Sequence, residues 1–118
     1  MIESYKDLIV WKKSLELTRE IYIATEGFPR EELFGLTSQM RRCSVSIPSN
    51  IAEGRSRGTK KDFVQFLRIA LGSATELQTQ IEIVKILPKI QHTNLGKSEG
   101  LLIEVIKMLH VMIKKLLI

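Results

Sequence analysis

The stretch that decides the fold is Ser46-Ile47-Pro48-Ser49-Asn50-Ile51-Ala52-Glu53-Gly54-Arg55-Ser56-Arg57. It sets a proline, small polar residues, Asn50 and Glu53 inside a run that otherwise reads as helix. Leu33, Leu36, Met40, Cys43 or Ser44, Ile47, Ile51 and Gly54 keep heptad-like spacing straight through Pro48. A break in the helix would reset that register, so the pattern predicts a second helix kinked at Pro48 and not stopped there. Proline cannot donate to the carbonyl of Ser44, which costs about 3 kcal/mol unless it is compensated. Ser44, Ser49 and Asn50 lie within reach to compensate. Glu53 falls at the negative end of the helix and needs a cation such as Arg57 beside it. Pro48, Asn50, Glu53 and Gly54 therefore read as a structural motif, with a short loop from Gly54 to Gly58.

Moving outward, this second helix should begin between Arg30 and Leu36, behind the stop signal Gly27-Phe28-Pro29. Before it, Ser4 with Asp7 is a plausible cap for a first helix. Leu8, Trp11, Leu15, Thr18 and Tyr22 form one face of that helix, and Val10, Ser14, Leu17, Ile21 and Ala24 form a second beside it. Together they cover roughly 200°, wider than the ~100° that one core needs. After the loop, Thr59 with Asp62 is a capping box for a third helix, whose apolar stripe runs from Phe63 to Val84. Gly72-Ser73-Ala74 suggests the close approach of a neighbouring helix. Pro88 ends this element, Thr93 or Asn94 can cap the next, and a fourth helix reads from Leu101 to Leu117. Its polar stripe, Glu104, Lys107 and Lys114, is narrow.

These four amphipathic segments with short connections predict an all-α, antiparallel up-down-up-down bundle in a single domain over residues 1–118. The surplus apolar faces on the first and fourth helices mean either deep burial or a homo-oligomer.

Composition narrows the functional classes. The chain is 44% hydrophobic and 26% charged, with only three prolines and seven glycines, too few turn-formers for an all-β fold. No apolar run approaches the roughly 20 residues needed to cross a bilayer, and no signal-like segment opens the chain. The lone Cys43 excludes an internal disulfide and fits a reducing, cytoplasmic setting. His92, His110 and Cys43 have no metal-ligand spacing, and no nucleophile–base pair or phosphate-loop motif is present. No catalytic residue, metal or cofactor is expected, and the chain reads as a non-enzyme.

Charge is the functional signal. The span from Arg41 to Arg68 holds seven basic residues (Arg41, Arg42, Arg55, Arg57, Lys60, Lys61 and Arg68) and only two acidic ones, so it accounts for the whole net charge of +5. The segment Gly54-Arg55-Ser56-Arg57-Gly58-Thr59-Lys60-Lys61 joins flexible backbone, cations and a helix start, all favourable to phosphate. No aromatic residue interleaves with the cations, so contacts to the backbone of RNA or DNA are expected and base stacking is not. The alternatives are a solvated charged loop, or a protein–protein scaffold with no direct nucleic-acid role.

Ser46-Ile47-Pro48-Ser49-Asn50-Ile51-Ala52-Glu53-Gly54, then Phe66-Leu67, Ala70, Gly72-Ser73 and Glu76-Leu77, resemble the signature of a bacterial four-helix-bundle family, the 23S rRNA intervening-sequence proteins. Leu8 with Trp11, Phe28-Pro29, Glu32, Gly35-Leu36, Gln39 and Arg42 extend the likeness. It is weakest from Lys89 to Gly100. The resemblance implies an antiparallel four-helix bundle assembled into a ring-like homopentamer. The family is also similar to the accessory protein of diversity-generating retroelements, which implies nucleic acid and a reverse transcriptase as partners.

Overall fold

A computed structural model of the chain describes residues 4–118. Among them are four α-helices: α1 (Ile9–Thr25), α2 (Ser38–Ser56), α3 (Lys60–Ile86) and α4 (Gly96–Leu116). Ser4 caps a short 3-10 turn, Tyr5–Asp7, and not α1 itself: its hydroxyl oxygen accepts from the Lys6 amide at 3.0 Å. That turn seats Tyr5 edge-on against Trp11, with ring centroids 5.2 Å apart. The two faces read on the first helix separate only in part: Leu8 of the first is buried, its Trp11 and Thr18 are half-buried, and Ala24 of the second is half-buried where Thr25 takes the core position. Val10, Ser14, Leu17, Ile21 and Thr25 are buried, whereas Leu15 and Tyr22 of the other set remain exposed.

Contacts between successive helices run in opposite senses. Thr18 meets Ser44 while the later Thr25 meets the earlier Arg41. Across α2 and α3, Cys43 lies by Gln80, Ser46 by Ser73, and Gly54 by Phe66. Lys13 pairs with Glu104, and Glu20 with Lys97, which returns α4 to α1. The result is an antiparallel four-helix bundle, 46 × 20 × 20 Å, with each helix packed on those before and after it. Leu17, Ile21, Met40, Ile47, Leu67 and Leu109 are among the fully buried residues along its axis.

Pro48 lies within the continuous run of α2, and the non-helical backbone falls at Gly35, where φ is −112° and ψ is −112°. Gly35 sits in a π-turn, Leu33–Thr37, that follows a 3-10 turn, Arg30–Glu32; the expected single helix start is thus an irregular entry. The carbonyl orphaned by Pro48 is met from outside α2. Thr18 Oγ1 on α1 lies 2.9 Å from Ser44 O and 3.0 Å from Ser14 O, and its one proton can go to either. Of the expected compensators, Ser49 donates to Val45 O and Asn50 to Ser46 O, so both serve other carbonyls. Ser44 donates its own hydroxyl to Arg41 O.

Two glycines exchange roles. In Gly72-Ser73-Ala74 the close approach is made at Ser73, whose hydroxyl lies 2.8 Å from that of Ser46, beside the fully buried Ala74; Gly72 is exposed, a Cβ there would meet nothing within 4 Å, and it brings no helix close. Gly54 does: a Cβ would stand 2.6 Å from Phe66 Cβ and 3.3 Å from Phe63 Cδ1. It lies inside the last turns of α2, which continues to Ser56, so the connection to α3 is shorter than expected. Gly58, at φ 87°, takes the left-handed conformation that the tight turn requires. At the far connection Asn94 accepts from the Gly96 amide at 3.1 Å, and α4 begins there and not at Leu101.

Candidate nucleic-acid interface

The predicted basic residues do not form one patch. Arg41 and Arg42 sit near the start of α2, about 20 Å along its axis from Arg55 and Arg57. Arg41 is committed within the bundle. Its guanidinium lies 4.6 Å from the centre of the Tyr22 ring, Nε donates to Thr25 Oγ1 at 2.9 Å, and Nη2 reaches Tyr22 O at 3.4 Å. It thereby holds the last turn of α1, whose carbonyls carry the negative end of the helix dipole. Arg42 is exposed beside an open groove that Tyr22, Leu33, Phe34 and Val45 also line.

The remaining five predicted cations collect where α2 passes into α3. Arg57 pairs with Glu53 at 3.7 Å, as its spacing predicts, and lies over Phe66 at 5.0 Å. Thr59 Oγ1 accepts from the Asp62 amide at 3.1 Å, the expected cap, which fixes the first turn of α3. Arg55 is half-buried on the last turn of α2. Lys60, Lys61 and Arg68 are exposed, and among the described residues none has an ion-pair partner.

The antiparallel arrangement adds cations that the linear charge count did not associate with this loop. The end of α4 lies beside the start of α3: Leu116 and Leu117 share a groove with Lys60, Lys61 and Arg68. Lys107 and Lys115 line a neighbouring groove with Asp7 to Val10. Lys114 is exposed on the same last turns. Only the bundle topology could have revealed these three, because more than thirty residues separate them from Arg68 in sequence.

The opposite end of the bundle treats its lysines differently. Lys85 bonds Glu99 at 2.7 Å and Glu82 at 3.4 Å, Lys89 bonds Glu31 at 2.9 Å, and Lys97 pairs with Glu20 at 3.4 Å. The Glu99 hydrogen bond chiefly holds the pKa of Lys85 above its ordinary value, and that to Glu31 does the same for Lys89. Among the described residues, the lysines without an ion-pair partner are therefore concentrated at the α2–α3 end.

Among the described residues no three His, Cys, Asp or Glu side chains gather as metal ligands. His92 and His110 are both at the surface. Cys43 is buried, and its thiol is pushed from an ordinary 9.0 up to about 11, first by burial and then by the adjacent Glu76 carboxylate. No helix is long and apolar enough to cross a membrane among the described residues.

Four antiparallel helices around an aliphatic core, with basic residues gathered at one end, define a helical-bundle protein. The chain belongs to the 23S rRNA-intervening sequence protein family, whose model matches residues 6–111. That membership is consistent with a non-enzymatic helical protein. No curated protein matches the chain.

Proposed function

We propose that this protein is a non-enzymatic, cytoplasmic binder of RNA or DNA backbone that acts through the α2–α3 end of its bundle. The observation that carries the reading is the clustering there of lysines and Arg68 that have no ion-pair partner among the described residues. Lys60, Lys61 and Arg68 lie beside the last turns of α4 with Lys107, Lys114 and Lys115, while the far-end lysines are neutralised by glutamates. Paired lysines release few counterions on meeting a phosphate; unpaired ones supply the salt-dependent affinity typical of nucleic-acid binding. Arg55 and Arg57 border this surface, whereas Arg41 serves the fold and Arg42 lies toward the other end.

Exposed apolar side chains support self-association into a homo-oligomer. Phe34 is 93% exposed, next to Leu33, Tyr22 and Val45, and Ile9 and Val111 are exposed between α1 and α4. A ring of five, as the family resemblance implies, would gather several basic ends and multiply a modest affinity. The same apolar surface favours a second reading, a scaffold that meets a protein partner such as a reverse transcriptase with no nucleic acid involved.

The test is binding of a labelled single-stranded RNA across a salt series. Affinity should fall steeply with salt, and Lys60→Ala/Lys61→Ala/Arg68→Ala should flatten the log–log salt slope by about 2–3. An unchanged slope in that variant would remove the site from consideration. Sedimentation should give an oligomeric mass at micromolar concentration; a monomer would rule out the ring.

A further inference from the structure

The groove beneath the unpaired cations is not a plain phosphate site. It is an open groove of about 880 Å³ between the first turns of α3 and the end of α4. Val64, Ile69, Leu116 and Leu117 supply aliphatic lining, and Lys60, Lys61 and Arg68 supply the charge. Phosphates would use the three cations and leave the aliphatic surface idle. Bases would find no aromatic face on it to stack against. Val64 is only 6% exposed, so part of the lining is recessed, and a flat lipid surface would not reach it. A cleft between two helices with aliphatic walls accepts the side-chain ridge of a third helix.

The charge geometry agrees. Lys61 and Arg68 are seven positions apart on one helix, about 10.5 Å along the axis. Acidic residues seven apart on a partner helix have the same spacing. From Lys60 to Ile69 the groove follows roughly two and a half turns of α3, enough for two successive apolar anchors of a bound helix. We propose that this groove docks an acidic amphipathic helix of a partner protein, with its aliphatic ridge on Ile69 and Leu117 and its carboxylates against Lys60, Lys61 and Arg68. Because these cations also serve the proposed phosphate surface, the helix and a nucleic acid would compete. That competition, unlike the docking itself, rests on the preceding reading.

The experiment uses the full chain and a labelled synthetic peptide of about 16 residues. Its leucines are spaced three and four apart along one face, with glutamates seven apart on the border. A second peptide has the same composition in scrambled order. Only the amphipathic peptide should bind well, and poly(U) RNA should displace it. Ile69→Gln and Leu117→Gln leave the net charge unchanged at positions 45% and 60% exposed, so the fold should tolerate both. Each should weaken peptide binding by about tenfold or more while poly(U) affinity stays within about twofold. Equal binding of the scrambled peptide, or no loss in either variant, overturns the proposal. So does capture by phosphatidylglycerol vesicles that depends on Ile69 and Leu117, which would assign the groove to lipid. Peptide binding without poly(U) binding sinks the nucleic-acid reading alone; the reverse sinks this one alone.

Discussion

The two ends of the bundle use the same residue types to opposite effect. At the α2–α3 end, a tight turn at Gly58 and the bare Cα of Gly54 draw two helices together, and Lys60, Lys61 and Arg68 have no ion-pair partner among the described residues. At the other end the chain enters α2 through 3-10 and π turns, and Lys85, Lys89 and Lys97 each hold a glutamate. The contrast teaches that a count of lysines says little about where anions bind. What matters is which lysines the fold leaves uncompensated, because exposed ion pairs add little stability yet remove a charge from the field outside the protein.

The largest expected effect comes from reversing charge at the open end. Lys60→Glu/Lys61→Glu/Arg68→Glu should lower RNA affinity by about 100-fold at low salt, measured by fluorescence anisotropy. Gly54→Ala attacks the packing that brings those cations together. Its Cβ would press on Phe66, and chemical denaturation should show a loss of about 1–3 kcal/mol. Near mid-bundle, Thr18→Val leaves the buried Ser44 carbonyl without its donor and should cost about 1–2 kcal/mol. Pro48→Ala restores an N–H aimed at that carbonyl, so the double variant should recover most of the loss; strict additivity would contradict the assignment.

The smallest effects belong to the paired end. With its pKa raised in the folded state, Cys43 binds a proton there that the unfolded chain releases above about pH 9. Its contribution to stability is therefore complete below pH 9 and is lost as pH climbs toward 11, which melting curves across that range would register. At pH 8, iodoacetamide should label it only at the rate of unfolding. Substituting Lys85, Lys89 and Lys97 by alanine should change RNA affinity by less than about twofold. A loss there as large as at Lys60 and Lys61 would erase the distinction between the ends.

Features set by neighbours in sequence were legible from sequence. The register through Pro48, the Thr59–Asp62 cap and the Glu53–Arg57 pair all appear as read, because each depends on residues within one or two turns. Features set by a second helix were not. Gly54 and Gly72 are alike as residues, and only the presence of Phe66 opposite one of them makes it a close contact. Arg41 adjoins Arg42 in the chain, but its position on α2 turns it onto Tyr22 and Thr25. Likewise, nothing local marks Lys107 or Lys115 as neighbours of the α2–α3 end until α4 is laid antiparallel to α3.

The bond from Thr18 to Ser44 has a consequence for how the bundle assembles. In an isolated α2–α3 hairpin, the carbonyl opposite Pro48 would be open to water and would not miss its donor. Docking α1 seals that site and supplies the replacement in the same event, which favours the register that brings the Thr18 hydroxyl, among those of Ser14, Thr18, Tyr22 and Thr25, to Ser44. A proline that weakens one helix thus becomes an alignment key for the next. A slip of α1 by one or two residues would bury that carbonyl unpaired, at a cost of about 1–3 kcal/mol, even though its apolar face would still find apolar neighbours.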